Sequence, residues 1–392
     1  MSKSVAVIGA GITGLTAAYY LARAGYKVSV YDQERYPAMR CSYANGGQIS
    51  VSNSEVWNTW TNVDKGLKWM FTKDAPLLIR PRFDPAMFSW IAKFLWHTAK
   101  GDYLKNTEWT IKTGLESSKL YKEIIAEEEL DFDQLDSGIL HFYKDDAYYS
   151  RSYEAAKIFR KNGCEWTMIR PCDITDIEPA LRDIKGVIGG GFTSTDWTGD
   201  INKFCNSLKD ILENKYKVFF HYNRKIESLE HIDYDIFVVA GGIGSVKLAK
   251  SVGDHLPIYP VKGYSITINN VDPKFLPKVS LLDDQAKIVT ATLGNRLRVA
   301  GTAELAGENY DIRRDRIEPL LEWVHTNFPN IDTHDYSQWA CLRPMTPNML
   351  PIIKQSKKDK RVFYHTGHGH LGWTLSPATA KQLVELIKAT KC

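Results

Sequence analysis

The chain has 392 residues, 44% hydrophobic and 24% charged, with 50 basic against 46 acidic side chains for a net charge of +4. Such values suit a soluble globular chain of two or three lobes and exclude a disordered, collagen-like or disulfide-framework protein. Charges of both signs are spread without long runs, so nucleic acid is not an expected partner.

The N-terminus enters an apolar strand, SVAVI (4–8), and then a glycine turn, GAGITG. It lacks the long apolar region and small-residue cleavage site of a signal peptide. No stretch reaches the length of uninterrupted apolar residues that a membrane span needs. Residues 15–24 (LTAAYYLARA) have helical spacing, Gly25 ends the helix, and VSVYD (28–32) supplies a second strand. Together these form a βαβ unit.

Residues 55–130 read as mainly helical and rich in tryptophan. SGILHFYK (137–144) and GVIGGGF (186–192) read as strands, separated by a helical SYEAAKIFRKNG. A helix over 201–213 precedes three predicted strands, KVFFHY, KIESLE and YDIFVVAGG. The stretch 258–304 is strand-rich and antiparallel in character, a helix follows near 315–327, and a last helix runs from near Pro377 to about 389. With no internal repeat and no low-complexity linker, the lobes are expected to interleave.

Gly9, Gly11 and Gly14 form GxGxxG in a strand–turn–helix frame. The first glycine permits the tight turn, the second lets the backbone approach a pyrophosphate, and the third packs helix on strand. The helix N-terminus attracts the negative charge. Asp32 closes the second strand 18 residues after Gly14, where an acid holds ribose hydroxyls. The N-terminal position of the fingerprint and a second strand–glycine segment, DIFVVAGGIGS (235–245), favour FAD over NAD.

The six cysteines, at 41, 164, 172, 205, 341 and 392, form no CxxC pair, so a zinc ribbon or thioredoxin-type site is not indicated. Mostly reduced thiols and a cytoplasmic setting are expected. His365, His368 and His370 alternate in a glycine-rich loop, without the one-face geometry of a metal helix, so no metal is expected. Six of the 11 tryptophans fall between Trp57 and Trp109, around KGLKWMFTK and MFSWIAKFLWHTAK. Aromatic residues beside lysines suit two roles: packing on the substrate domain, or peripheral contact at the inner face of a membrane where a quinone accepts electrons.

After the βαβ unit comes CSYANGGQISVS (41–52), too rich in glycine and amides for a core element. With the fingerprint, it resembles the D-amino acid dehydrogenase small-subunit group of the D-amino acid oxidase flavoprotein superfamily. The match continues in TGD (198–200), PVKGYSIT (260–267), GTAE (301–304), LRPMTPNMLPII (342–353) and TGHGHLGWTLSPATAKQLVELI (366–387). The resemblance implies an α/β fold with a Rossmann-like FAD-binding domain interleaved with an α+β substrate domain on a large mixed or antiparallel sheet. The expected division is 1–55, 195–257 and 340–392 for FAD, and 56–194 and 258–339 for substrate.

The resemblance also implies site residues. Around the fingerprint, Ile12, Thr13 and Gln33 join the glycines and Asp32, and Ile226, Ala240 and Gly241 join from downstream. Ser42, Ala44, Asn45, Gly46, Gly47, Gln48 and Ile49 would wrap the flavin, their small side chains letting backbone N–H groups reach the ring. Gly367, Gly369, His370, Leu371, Gly372, Trp373 and Thr374 would form a second flavin-facing segment before a helix whose positive end suits reduced flavin.

Arg343 matches the arginine that clamps the substrate carboxylate, a role suited to a planar guanidinium fork, against the alternative of a structural salt bridge. Tyr264 would hold the same carboxylate or pack as a core aromatic. Cys341 occupies a position where dehydrogenases more usually have glycine and monomeric sarcosine oxidases bond flavin covalently. It is therefore a candidate attachment point, or a small buried residue.

The implied reaction is oxidative deamination of an amino acid or related amine: hydride passes from Cα to flavin N5, and the imine hydrolyses to a keto product. No general base is named. Quinone or oxygen would be the acceptor. Alternatives are a sarcosine- or glycine-oxidase-like enzyme, an oxidoreductase for an amino sugar or biosynthetic intermediate, and a flavin-binding subunit of a larger complex.

Overall fold

The computed structural model describes residues 2–69, 75–80 and 82–390. The end of the basic tryptophan-rich stretch (70–73) and Cys392 lie outside the described residues.

The βαβ unit forms as the sequence predicts. Strand β1 (Ser4–Ile8) and strand β2 (Lys27–Tyr31) pair in parallel, with Val5 opposite Val28. Both are buried on successive residues because helices cover both faces of the sheet. Between them lies α1 (Ile12–Arg23), after which Gly25 takes a left-handed φ of +88 to turn the chain back. Strands β9 (Phe219–His221), β10 (Ile236–Val239), β16 (Ile352–Gln355) and β17 (Val362–Thr366) complete the sheet in the order β16-β17-β10-β1-β2-β9. Only β16 is antiparallel to its neighbour.

One face of this sheet packs on α1, α7 (Ile201–Asn214) and α10 (Gly372–Ala389) through Val5, Val7, Leu15, Phe204, Leu208 and Leu383. The other buries Ala6, Ile8 and Phe237 against Leu248 of α8 (Ser245–Ser251). Helix α4 (Tyr103–Glu128) lies on α10.

Two predicted elements differ. KIESLE is not a strand: Asn223, at φ +54, folds the chain back so that the Arg224 N–H reaches the Asp32 carbonyl. Only Ile226 and Leu229 then turn inward. Helix α10 begins at Gly372, ahead of Pro377. Proline cannot donate to the Trp373 carbonyl four residues back, and the Tyr121 hydroxyl donates to it instead, at 2.8 Å.

The second sheet has the order β15-β11-β14-β13-β12-β5-β7-β6, with β4 beside β14. Its strands are β4 (Leu77–Ile79), β5 (Ile139–Tyr143), β6 (Thr167–Ile169), β7 (Gly189–Thr193), β11 (Tyr259–Ile268) and β12 (Ser280–Asp283). The remaining members are β13 (Ile288–Leu293), β14 (Arg296–Leu305) and β15 (Tyr336–Met345). All pairings are antiparallel except β12–β5 and β14–β4. Because β15 runs to Met345, the chain leaves this sheet a few residues after the expected boundary at 340.

Helix α9 (Arg314–Asn327) covers one face through Leu320, Trp323 and Val324, packed on Ile266, Ile268 and Val299. The opposite face looks toward the first layer. A short ladder of β3 (Gln48–Ile49) with β8 (Trp197–Thr198) bridges the layers. Outside them lie α2 (Trp60–Trp69), α3 (Pro85–Lys100), α5 (Asp146–Lys161) and α6 (Ile174–Ile177).

Candidate cofactor and substrate site

Three glycine loops meet at the carboxyl ends of adjacent parallel strands: Gly9–Gly14 after β1, Ala240–Gly244 after β10, and Gly367–Leu371 after β17. Such a crevice is where open α/β sheets bind ligands. Gly9 has φ +118, and a Cβ there would stand 2.6 Å from the Ala240 carbonyl oxygen. A Cβ on Gly14 would lie 1.8 Å from the Gly9 oxygen, so this glycine is required for helix–strand packing. At Gly11 a Cβ would meet only Ser42 Oγ at 3.5 Å, leaving its backbone open to a ligand.

Helix α1 has no side-chain cap and no acid in its first turn, and the same holds for α10. The Ile12 N–H is taken by Ser42 Oγ at 3.1 Å, and Thr13 offers its carbonyl to His365. Two positive helix ends with no acid in the first turn suit an anionic ligand. Asp32 accepts the Ala10 N–H at 2.6 Å and the Glu34 N–H at 2.8 Å; burial raises its pKa against those bonds. Gln33 is exposed, and Ile226 is half-buried against the cluster of Ile8 and Tyr31 beside the end of β2. The open Gly11 backbone, the acid-free helix ends and the half-buried Asp32 fit the FAD expected from the fingerprint.

The segment 42–49 lies on the inner face of the second sheet. Ser265 Oγ donates to the Ala44 carbonyl at 2.7 Å, and Arg298 donates to that of Asn45 at 2.9 Å. Gly46 and Gly47 press against this sheet: a Cβ on either would come within 2.8 Å of Val289 or 2.7 Å of Ala291. These two glycines therefore serve close packing on the sheet, in addition to any opening of the backbone to a ring. Gln48 donates to Ser280 Oγ at 2.8 Å, and Ile49 is fully buried.

Arg343 sits on the same inner face. It lies beside Gly263 of β11, where a Cβ would come 2.2 Å from its Nη2, so the missing side chain lets the guanidinium lie flat. Its Nη1 donates to the Thr302 carbonyl at 2.9 Å. Thr302 has φ +64, strained for a β-branched residue, and the β11–β14 register shifts beside it. The bulge aims that carbonyl at the arginine. Among the described residues no carboxylate pairs with Arg343, and burial lowers its pKa to about 10.

His370 neighbours it, its pKa brought down to about 3 by burial and then by the Arg343 charge. Its ring stacks on Trp57 with centroids 4.8 Å apart. His365 and His368 instead share Thr379 Oγ1, at 2.9 and 3.0 Å, and burial lowers the pKa of both. Among the described residues no group of three His, Cys, Asp or Glu is arranged to hold a metal.

The family model of FAD dependent oxidoreductases matches residues 4–386. The chain belongs to that family. Its cofactor is FAD, and it is an oxidoreductase. Among the family's members, D-amino acid dehydrogenase 3 of Mesorhizobium japonicum is 42% identical over 98% of this chain and 96% of its own length. The D-amino acid dehydrogenase of Dechloromonas aromatica is 36% identical, over 99% of this chain and 97% of its own. Glycine oxidase from Geobacillus kaustophilus has the same fold, with a TM-score of 0.76 at 16% identity over 100% of this chain and 96% of that one. L-proline dehydrogenase from P. horikoshii gives 0.75 at 16%, over 100% and 95%.

In this member of the family, two expected site residues do not fill their expected roles. Tyr264 is fully buried on the α9 side of the sheet, the face opposite Arg343, where its hydroxyl donates to Glu304. Successive strand residues point to opposite faces, so Tyr264 and Gly263 cannot share one. Cys341 does face inward, but its sulfur is joined to Cys41 in a disulfide, so it is not the free thiol that flavin attachment requires. The expectation of reduced thiols fails for this pair.

Sequence reasoning missed Asp196. Its buried carboxylate accepts the Val51 and Ser52 N–H groups at 2.9 and 3.0 Å and fixes the segment after the flavin wrap. It missed Arg298 and Trp57 as well. None lies in a motif with a chemical signature.

Proposed function

We propose that this chain oxidatively deaminates a D-amino acid, with Arg343 holding the substrate carboxylate. FAD supplies the hydride acceptor. A half-buried guanidinium without a carboxylate partner among the described residues is the observation that carries this reading, because a cation removed from water is costly unless an anion meets it. Thr302 orients the fork, Gly263 gives it room, and neutral His370 adds no charge that would compete for the carboxylate. Trp57 stacks on His370 beside the clamp. The D configuration is supported by the names of the relatives at 42% and 36% identity. A panel of D- and L-amino acids with an artificial acceptor tests it: turnover of D substrates alone is expected, and turnover of L substrates alone, or of none, would reject it.

A second reading concerns where the electrons go. Helix α3 contains no acidic residue, and its outward residues include Phe88, Ala92, Trp96 and Lys100. Phe83, just before it, is 89% exposed, and Trp96 is 67% exposed. Among the described residues no helix is long and apolar enough to cross a membrane. We infer surface docking on an anionic bilayer, with a quinone as acceptor. Sedimentation with anionic vesicles tests this: binding should weaken in Phe83→Ser/Trp96→Ser, and no vesicle binding by the parent protein would reject it.

A further inference from the structure

Cys41 and Cys341 are separated by 300 positions, yet β15 and the flavin-wrapping segment bring their Cα atoms to 5.3 Å and join their sulfurs. Cys41 directly precedes Ser42, the residue that takes the Ile12 N–H at the head of α1. Cys341 is on the inner face of β15, opposite Gly263 and two residues from Arg343. One sulfur thus belongs to the segment expected to wrap the cofactor, the other to the strand that carries the substrate clamp. Both cysteines are half-buried, open to small reagents but not on the outer surface.

The remaining described cysteines have no such setting. Cys164 and Cys205 are buried, and burial raises their pKa, which makes them inert; Cys172 is exposed. A purely structural staple is the competing account. The two layers are already tied across the same seam by Ser265 to Ala44, Arg298 to Asn45 and Arg296 to Asp200. The disulfide is therefore not needed to close it.

We propose that the Cys41–Cys341 disulfide is a two-electron acceptor for the reduced cofactor. Two electrons and one proton from reduced FAD, with one proton from solvent, cleave the S–S bond to two thiols and return FAD to its oxidised form. As an outlet separate from the quinone, an external disulfide then takes the electron pair by thiol exchange, leaving as two thiols while Cys41–Cys341 re-forms. This inference rests on the family's cofactor and is independent of which amine is oxidised.

The test is an anaerobic dithionite titration of the FAD-loaded protein as isolated, followed by flavin absorbance and by alkylation of thiols with peptide mass mapping. Four electrons per flavin are expected for the parent protein, with new alkylation at Cys41 and Cys341, and two electrons for Cys41→Ser or Cys341→Ser. The FAD-free protein under the same dithionite should keep its disulfide. Two electrons per flavin with the disulfide intact would overturn the proposal. So would free thiols at both positions before reduction, flavin mass on the Cys341 peptide, or equal reduction of the disulfide without FAD. The parent titration decides the matter even if a variant fails to fold.

Discussion

Replacing Arg343 is the sharpest probe of the substrate site. Arg343→Lys keeps the charge but loses the planar fork and the orienting bond to Thr302. A hydrogen bond to a charged group contributes about 1.5–3 kcal/mol. Losing one of a bidentate pair should therefore lower kcat/KM by roughly 10- to 150-fold. Arg343→Met removes both bonds and leaves the substrate carboxylate unpaired at a half-buried position. That costs about 3–5 kcal/mol, or roughly two to four orders of magnitude. The assay is steady-state kinetics on the best D-amino acid and on the amine that lacks its carboxylate. The loss should appear for the amino acid and be absent for the amine. Folding should be little changed, since only one described protein hydrogen bond is given up, about 1 kcal/mol. An Arg343→Met enzyme within threefold of the parent, or equal losses on both substrates, would refute the clamp.

Tyr264→Phe should leave kcat/KM within about twofold while costing about 1–3 kcal/mol in urea unfolding, because it strips a buried hydrogen bond from Glu304 on the far side of the sheet. A large kinetic loss without a change in stability would return Tyr264 to the substrate site. Glu304→Gln should be worse, about 3–5 kcal/mol, because the fully buried Glu304 carboxylate is flanked by Arg80, Arg313 and Lys262; the urea midpoint checks it. Gly14→Ala should yield protein without flavin absorbance or insoluble protein, given the 1.8 Å contact a Cβ would make. Burial holds His365 and His368 neutral, the former with its pKa down to about 4 from 6.5. As pH falls below 6.5 the unfolded chain binds protons first, so their contribution to stability is full above that value and lost below it. The loss should be about 1.4 kcal/mol per pH unit per histidine, continuing to the folded pKa. Urea midpoints at pH 7 and pH 5 should differ less in His368→Asn, and an unchanged difference would count against it.

The local chemistry of the cofactor layer was readable in the chain. A short apolar strand, three spaced glycines and an acid closing the next strand are consecutive in sequence, so their geometric demands act within about thirty residues and leave a pattern. The family motifs likewise marked Arg343. The start of α10 was misplaced because Pro377 looks like a helix boundary, and only the distant Tyr121 hydroxyl satisfies the carbonyl that proline leaves free. KIESLE was read as a strand, but its two apolar residues, Ile226 and Leu229, stand three apart, and the left-handed turn at Asn223 folds the chain back before it.

What the sequence determined by itself was the fold class and the glycine turns of the cofactor crevice, since each depends on neighbours in the chain or on whole motifs. Which face of the second sheet a residue meets was decided by tertiary structure. The alternation along β11 is fixed by pairing with β14 and β15, with a bulge at Thr302, and that register turns Tyr264 toward α9 while Gly263 makes room for Arg343. The Cys41–Cys341 bond is of the same kind. It depends on two segments 300 residues apart meeting across the seam between layers, a contact that neither segment encodes alone.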